Sequence, residues 1–145
     1  MELSEKILFA YPTLLREGMS AQKPYPPEPL LIDMSAKKIN TIIVTASIYL
    51  LVVKNTFINV DIYLDGKIVT QDTESLDGYQ EVMDTTYVSD DILVVTSAMH
   101  VKDVVFPKSG QYEIRTRLME IDCNGETKEI DTLSCYIAVT VNKEE

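Results

Sequence analysis

Cysteine, histidine, glycine and positive charge are all scarce in this 145-residue chain, and each shortage removes a class of function. Only Cys123 and Cys135 are present. A hairpin turning at Asn124-Gly125 sets Cys123 against Glu126 and Cys135 against a residue near Ile114. That spacing is too wide for a disulfide, whose Cα atoms must lie within about 7 Å. Two reduced thiols fit a cytoplasmic protein. His100 is the one histidine and there is no C-x-x-C, so the ligand spacing of a zinc site is missing. No G-x-x-x-x-G-K, G-x-G-x-x-G or G-x-S-x-G occurs, which leaves nucleotide binding and α/β-hydrolase chemistry without support. The 13 Lys and Arg against 23 Asp and Glu leave a net charge of −10. That balance argues against nucleic acid or an anionic membrane as partner, because phosphate contacts require basic side chains. The apolar run from Thr41 to Val53 is shorter than the roughly 20 residues that cross a bilayer, and it carries Thr, Ser and Tyr. Near the start, Glu2 and Glu5 precede the run Ile7 to Tyr11 and Pro12 cuts it, which does not match a secretory signal.

What is present is a β-rich pattern. The length suits one domain over 1–145, with an N-terminal strand and Pro-rich segment in 1–30 and a core in 31–142. Lys6 to Tyr11 reads as an edge strand that Pro12 ends, and Thr13 to Gly18 as a helical turn. Gln22 to Leu30 carries four of the six prolines and is expected to be extended. Its Pro24-x-x-Pro27 with Tyr25 inside has the form of a groove-binding motif. A stiff connector over the sandwich edge is the preferred reading. From Lys38 to Val53, residues Ile42, Val44, Ala46, Ile48, Leu50 and Val52 share one face at period two. The opposite face, from Thr41 to Leu51, is half apolar and is expected to be covered, or to pair with a second copy. The length of this run predicts a bend near Ala46-Ser47.

Phe57 to Leu64 alternates again, and Asp65-Gly66 supplies a two-residue turn to a short return over Lys67 to Thr70. Gln71 to Gly78 reads as an acidic loop, Tyr79 to Val88 as a weak strand, Asp90-Asp91 as a turn and Ile92 to Val101 as a strand. In Gly110 to Leu118 the inward set is Tyr112, Ile114, Thr116 and Leu118, and Glu113, Arg115 and Arg117 point out. After Asn124-Gly125 the returning inward face is Leu133, Cys135, Ile137, Val139 and Val141. The expected fold is an antiparallel β-sandwich of seven to eight strands.

The stretch Val105-Phe106-Pro107-Lys108-Ser109-Gly110-Gln111-Tyr112 resembles the corner between the fifth and sixth strands of fibronectin type III and related immunoglobulin-like domains. There an apolar residue, a proline and a glycine lead into a tyrosine whose hydroxyl bonds back to upstream backbone. The resemblance implies that role for Tyr112. Ile114 stands where antibody-type domains carry a cysteine and the chain has no tryptophan, so the resemblance is closer to the fibronectin type. Single-domain chains of this look also occur among bacterial and phage proteins.

No catalytic constellation accompanies this pattern. His100 would need Asp103 and a reactive cysteine, but Cys135 falls on the core face, where a thiol is inert. No cofactor is expected. Acidic sets such as Asp72, Glu74 and Asp77, or Asp84, Asp90 and Asp91, do not match a calcium-loop pattern. Residues 61–91 hold nine acids against Lys67, a net −8. The chain is therefore expected to be a non-enzymatic interaction or assembly module with a protein partner. The candidate contacts are Arg115, Arg117 and Tyr136 on the outward face. The alternative is an acidic inhibitor or immunity-type protein that presents Asp72, Glu74 and Asp77 to a basic nucleic-acid enzyme or toxin. A structural subunit of a virus or surface assembly is a third reading.

Overall fold

The computed structural model describes residues 5–19, 25–52, 54–69 and 79–142. Nine strands occur among them and no helix: β1 Lys6–Leu14, β2 Leu30–Met34, β3 Asn40–Leu51, β4 Thr56–Leu64, β5 Lys67–Ile68, β6 Tyr79–Tyr87, β7 Ile92–Val104, β8 Gly110–Ile121 and β9 Thr127–Val141. They form two sheets, a four-stranded sheet in the order β1-β3-β7-β6 and a five-stranded sheet in the order β2-β9-β8-β4-β5. All neighbours are antiparallel except β2 and β9, which run parallel. The expected count of seven to eight strands and the wholly antiparallel pairing are thus corrected. Leu30–Met34 has no alternation of its own, and its partner strand lies more than a hundred residues away.

Period-two patterning sets the core. Ile42, Val44 and Ala46 of β3 meet Ile62 of β4, Tyr112 and Ile114 of β8, and Ile137 and Val139 of β9, all buried. This is the layered solution open to two sheets that are each apolar on one face. Of the expected inward residues of β8, Tyr112, Ile114, Thr116 and Leu118 are all buried. The Tyr112 hydroxyl donates to the Lys108 carbonyl at 2.6 Å, and its ring meets Phe106 edge-on with centroids 5.0 Å apart. The loop between β7 and β8 is pinned to the core at that point.

The turns follow their residues. Asp65 and Gly66 both take positive φ, 51° and 80°, as a type I′ turn requires. At the β8–β9 hairpin only Gly125 is left-handed, with φ 81°. Its N–H donates to the Asp122 carbonyl at 3.0 Å, while the Asp122 carboxylate accepts from the N–H groups of Asn124 and Glu126. The arrangement is a type I turn closed by a bulged glycine, in which Asp122 rather than Cys123 opposes Glu126.

Several local expectations are corrected. Pro12 does not end β1, which continues to Leu14 with Pro12 opposite Val44. β1 is an edge strand, and the Pro12 carbonyl points away from β3 to accept the Glu28 N–H at 2.8 Å. The N–H that proline lacks would have pointed the same way, so the ladder loses nothing. Thr13 and Leu14 are strand rather than helical turn. The irregularity expected near Ala46-Ser47 lies on the partner: Leu8 is the extra residue of β1, opposite Ser47 and Ile48. One end of the sandwich is closed by Lys54, which bridges the buried Glu5 at 2.8 Å and Glu120 at 3.7 Å.

Candidate functional site

The Pro-rich segment is a strap. Residues Tyr25 to Glu28 lie across the outer face of the four-stranded sheet. The Tyr11 hydroxyl donates to the Tyr25 carbonyl at 2.8 Å, Thr13 bonds the Pro26 carbonyl, and Glu28 accepts from the Leu14 N–H and pairs with Arg16. Tyr25, only 4% exposed, packs on Ile43 and Ala98, and its hydroxyl reaches Glu81 at 3.3 Å. The aromatic residue of the P-x-x-P pattern is therefore committed to its own fold. On the outer face of β3, Ile43, Thr45 and Ser47 are buried within one copy, with Tyr25 packed on Ile43.

His100 sits on β7, opposite Ile43, whereas Cys135 sits on β9, opposite Ile114, in the other sheet. The two never approach as a catalytic pair. Burial holds His100 below its ordinary value, partly opposed by Glu81. Burial also pushes the Cys135 thiol up to about 11, while Cys123 is exposed on the hairpin turn. Among the described residues no group of three or more His, Cys, Asp or Glu is placed to hold a metal ion.

The acidic candidates divide. Asp72, Glu74 and Asp77 lie outside the described residues. Of the remaining acids of the 61–91 region, Asp61 pairs with Arg117 at 2.8 Å and Asp65 with Lys108 at 3.2 Å. Asp84, Asp90 and Asp91 are exposed on β6 and the turn that follows it.

Arg115, Arg117 and Tyr136 do come together, on the outer face of the five-stranded sheet. Alternation along β8 and β9 turns their side chains outward. The Arg115 guanidinium lies 4.3 Å from the centroid of the Tyr63 ring and donates twice to Glu113, at 3.1 Å each, while Ser134 donates to the same carboxylate at 2.5 Å. These donors hold the Glu113 carboxyl below its ordinary range. Arg117 bonds the Asp61 carboxylate and the Tyr63 hydroxyl at 2.8 and 3.2 Å, and meets Glu129 at 3.4 Å. Tyr136, opposite Glu113 in the register, is 51% exposed.

Three further members escaped sequence reasoning. Alternation alone places Tyr63 only in a hairpin, yet it is the platform for both arginines. Leu30 and Ile32 join the face because β2 pairs with β9, which sets Leu30 beside Ala138. Leu30 is 49% and Ile32 63% exposed. The result is an apolar corner at Leu30, Ile32 and Tyr136 beside a braced Arg-Tyr ladder, the mixture of aromatic, arginine and aliphatic surface that interfaces favour.

Among the described residues the sheet edges differ: β5 covers only Tyr63 and Leu64, so Thr56 to Asp61 of β4 keep a regular edge without a partner strand. β1 has its bulge at Leu8 and carries Pro12, and β6 breaks register at Met83. β2 is irregular around Asp33, which takes φ 59°, and β5 is two residues long. No protein-family model matches the chain, and no curated protein matches it.

Proposed function

We propose that the chain is an immunoglobulin-like sandwich whose outer face on β4, β8 and β9 docks a protein partner, without catalysis. The strand orders β1-β3-β7-β6 and β9-β8-β4 run as do the two sheets of a constant-type immunoglobulin domain, with β5 and β2 added at the edges of the second sheet. The Tyr112–Lys108 bond matches the tyrosine corner of that class. The observation that carries the docking reading is the braced Arg115–Tyr63–Arg117 ladder beside exposed Tyr136, Leu30 and Ile32.

The test is affinity capture from the native host by the wild-type chain and by an Arg115→Ala, Tyr136→Ala, Ile32→Ser triple variant. Tyr136 and Ile32 are exposed and Arg115 lies on the sheet surface, so the variant should still unfold cooperatively by circular dichroism, with only the small loss that the Arg115–Glu113 pair accounts for. Capture of the specific partner should fall at least about tenfold, the loss expected when hot-spot residues are truncated. Equal capture by the variant would remove this face from consideration.

A further inference from the structure

A second surface lies on a different flank, where the two sheets fail to close on one another. A cavity of about 110 Å³ sits between them, walled by Ile48, Leu50, Val95 and Ser97 from the first sheet and by Ile58 and Leu118 from the second. Val95 and Ser97 pair directly with Thr85 and Val82, so the wall continues onto the core-facing side of β6. On that side Val82 and Tyr87 are 60% and 64% exposed although they point the way core residues point. A core-facing stripe left open beside a cavity lined by apolar side chains together with Thr56 and Ser97 is a cleft.

Its size and charge limit the occupant. Cavities that hold whole ligands run to about 300–1,000 Å³, whereas an apolar cavity of roughly 150 Å³ holds one benzene ring. The volume here suits one ring or one branched aliphatic group. Residues 79–91, which form β6 and the following turn, contain Glu81, Asp84, Asp90 and Asp91 and no Lys, Arg or His. Glu81 and Asp84 pair with Ala98 and Thr96 and so point to the outer face, which leaves Asp90 and Asp91, exposed on the turn, as the acids at this flank.

We propose that this cleft takes a single aromatic or branched aliphatic side chain of a partner polypeptide, flanked in that partner by Lys or Arg. The apolar group enters between the sheets and the flanking backbone lies along Val82 and Tyr87. The cations face Asp90 and Asp91 of the turn that follows β6. Apolar burial supplies the anchor, and charge selects the segment.

The probes are three synthetic pentapeptides, Lys-Lys-Phe-Lys-Lys, Lys-Lys-Gly-Lys-Lys and Glu-Glu-Phe-Glu-Glu, added to the full chain and followed by amide NMR shifts. The basic Phe peptide should shift amides around Val82, Val95 and Ser97, with at least about tenfold weaker binding for the other two. Val82→Lys, on the open stripe, should weaken binding by a similar factor while preserving the spectrum. Ser97→Phe, which fills the cavity, should abolish it. If Ser97→Phe does not fold, the Val82→Lys result decides. Equal binding of the Gly peptide would reduce the effect to charge, and shifts centred on Arg115 and Tyr136 would move it to the other face; either overturns the cleft. Absence of shifts at millimolar basic Phe peptide overturns it as well. The Arg115→Ala, Tyr136→Ala, Ile32→Ser variant should bind the basic Phe peptide like wild type, so failure here and failure of the outer-face reading are separable.

Discussion

Tyr112 is where a single side chain joins loop, corner and core. Its ring is buried against Phe106, and its hydroxyl donates to Lys108, four residues upstream. Tyr112→Phe keeps the ring and strands the Lys108 carbonyl, so a loss of about 1–2 kcal/mol is expected. A shift of the urea midpoint with an unchanged slope would show it, and an unshifted midpoint would deny the corner its role. The two cysteines separate for a local reason too. Cys135, its thiol pushed up to about 11 by burial, stays protonated at pH 8, whereas Cys123 is exposed on a turn. Iodoacetamide at pH 8 should therefore add one label to the folded chain, at Cys123, and two after denaturation; mass spectrometry of the peptides distinguishes these. Of these residue-level features, Tyr112 and the inward set of β8 were legible from alternation and from the proline–glycine–tyrosine spacing. The role of Tyr63 was not, because period two places it on the wet face but says nothing of the two arginines that the β4–β8 register brings to it.

Among the elements, the strap over residues 25–28 shows how a short segment gains its place. Prolines remove donors and stiffen the backbone, so the segment cannot add to a ladder. It is held instead by side-chain bonds to Tyr11, Thr13 and Leu14 and by the burial of Tyr25. Tyr25→Ala should cost about 3–5 kcal/mol, the range for truncating a buried aromatic. A thermal unfolding series would check it, and a cost under about 1 kcal/mol would mean the strap is loosely seated. The stiffness of this segment could be read from composition alone. That it lies on the sheet rather than offering itself to a partner depends on Ile43 and Ala98, from two distant strands.

For the molecule as a whole, acid is the condition that tests how charge is used. The Glu28 carboxyl is held below its ordinary value of 4.5 by Arg16 and by the Leu14 N–H, and that of Glu113 by Arg115 and Ser134. In each case the folded state binds its proton less readily than the unfolded chain. Stability from these groups is thus present above the ordinary carboxylate range and is lost as pH falls through the lowered folded values. Urea midpoints measured from pH 6 down to pH 3 should fall, and Glu28→Gln should flatten part of that slope. A slope unchanged by the substitution would show that the Arg16–Glu28 pair contributes nothing.

The sequence by itself determined which faces are apolar and where Asp65-Gly66 and Gly125 turn the chain. These are consequences of local stereochemistry and of side-chain period, which act within a few residues. Only the tertiary structure decided that Leu30–Met34 is a parallel strand on β9, that Tyr25 is buried, and that Leu30 and Ile32 share the outer face with Tyr136. It also decided that the sheets part at β6 to leave a cleft. Each of these depends on pairing between segments far apart in the chain, and no short-range pattern encodes which distant strand becomes the neighbour.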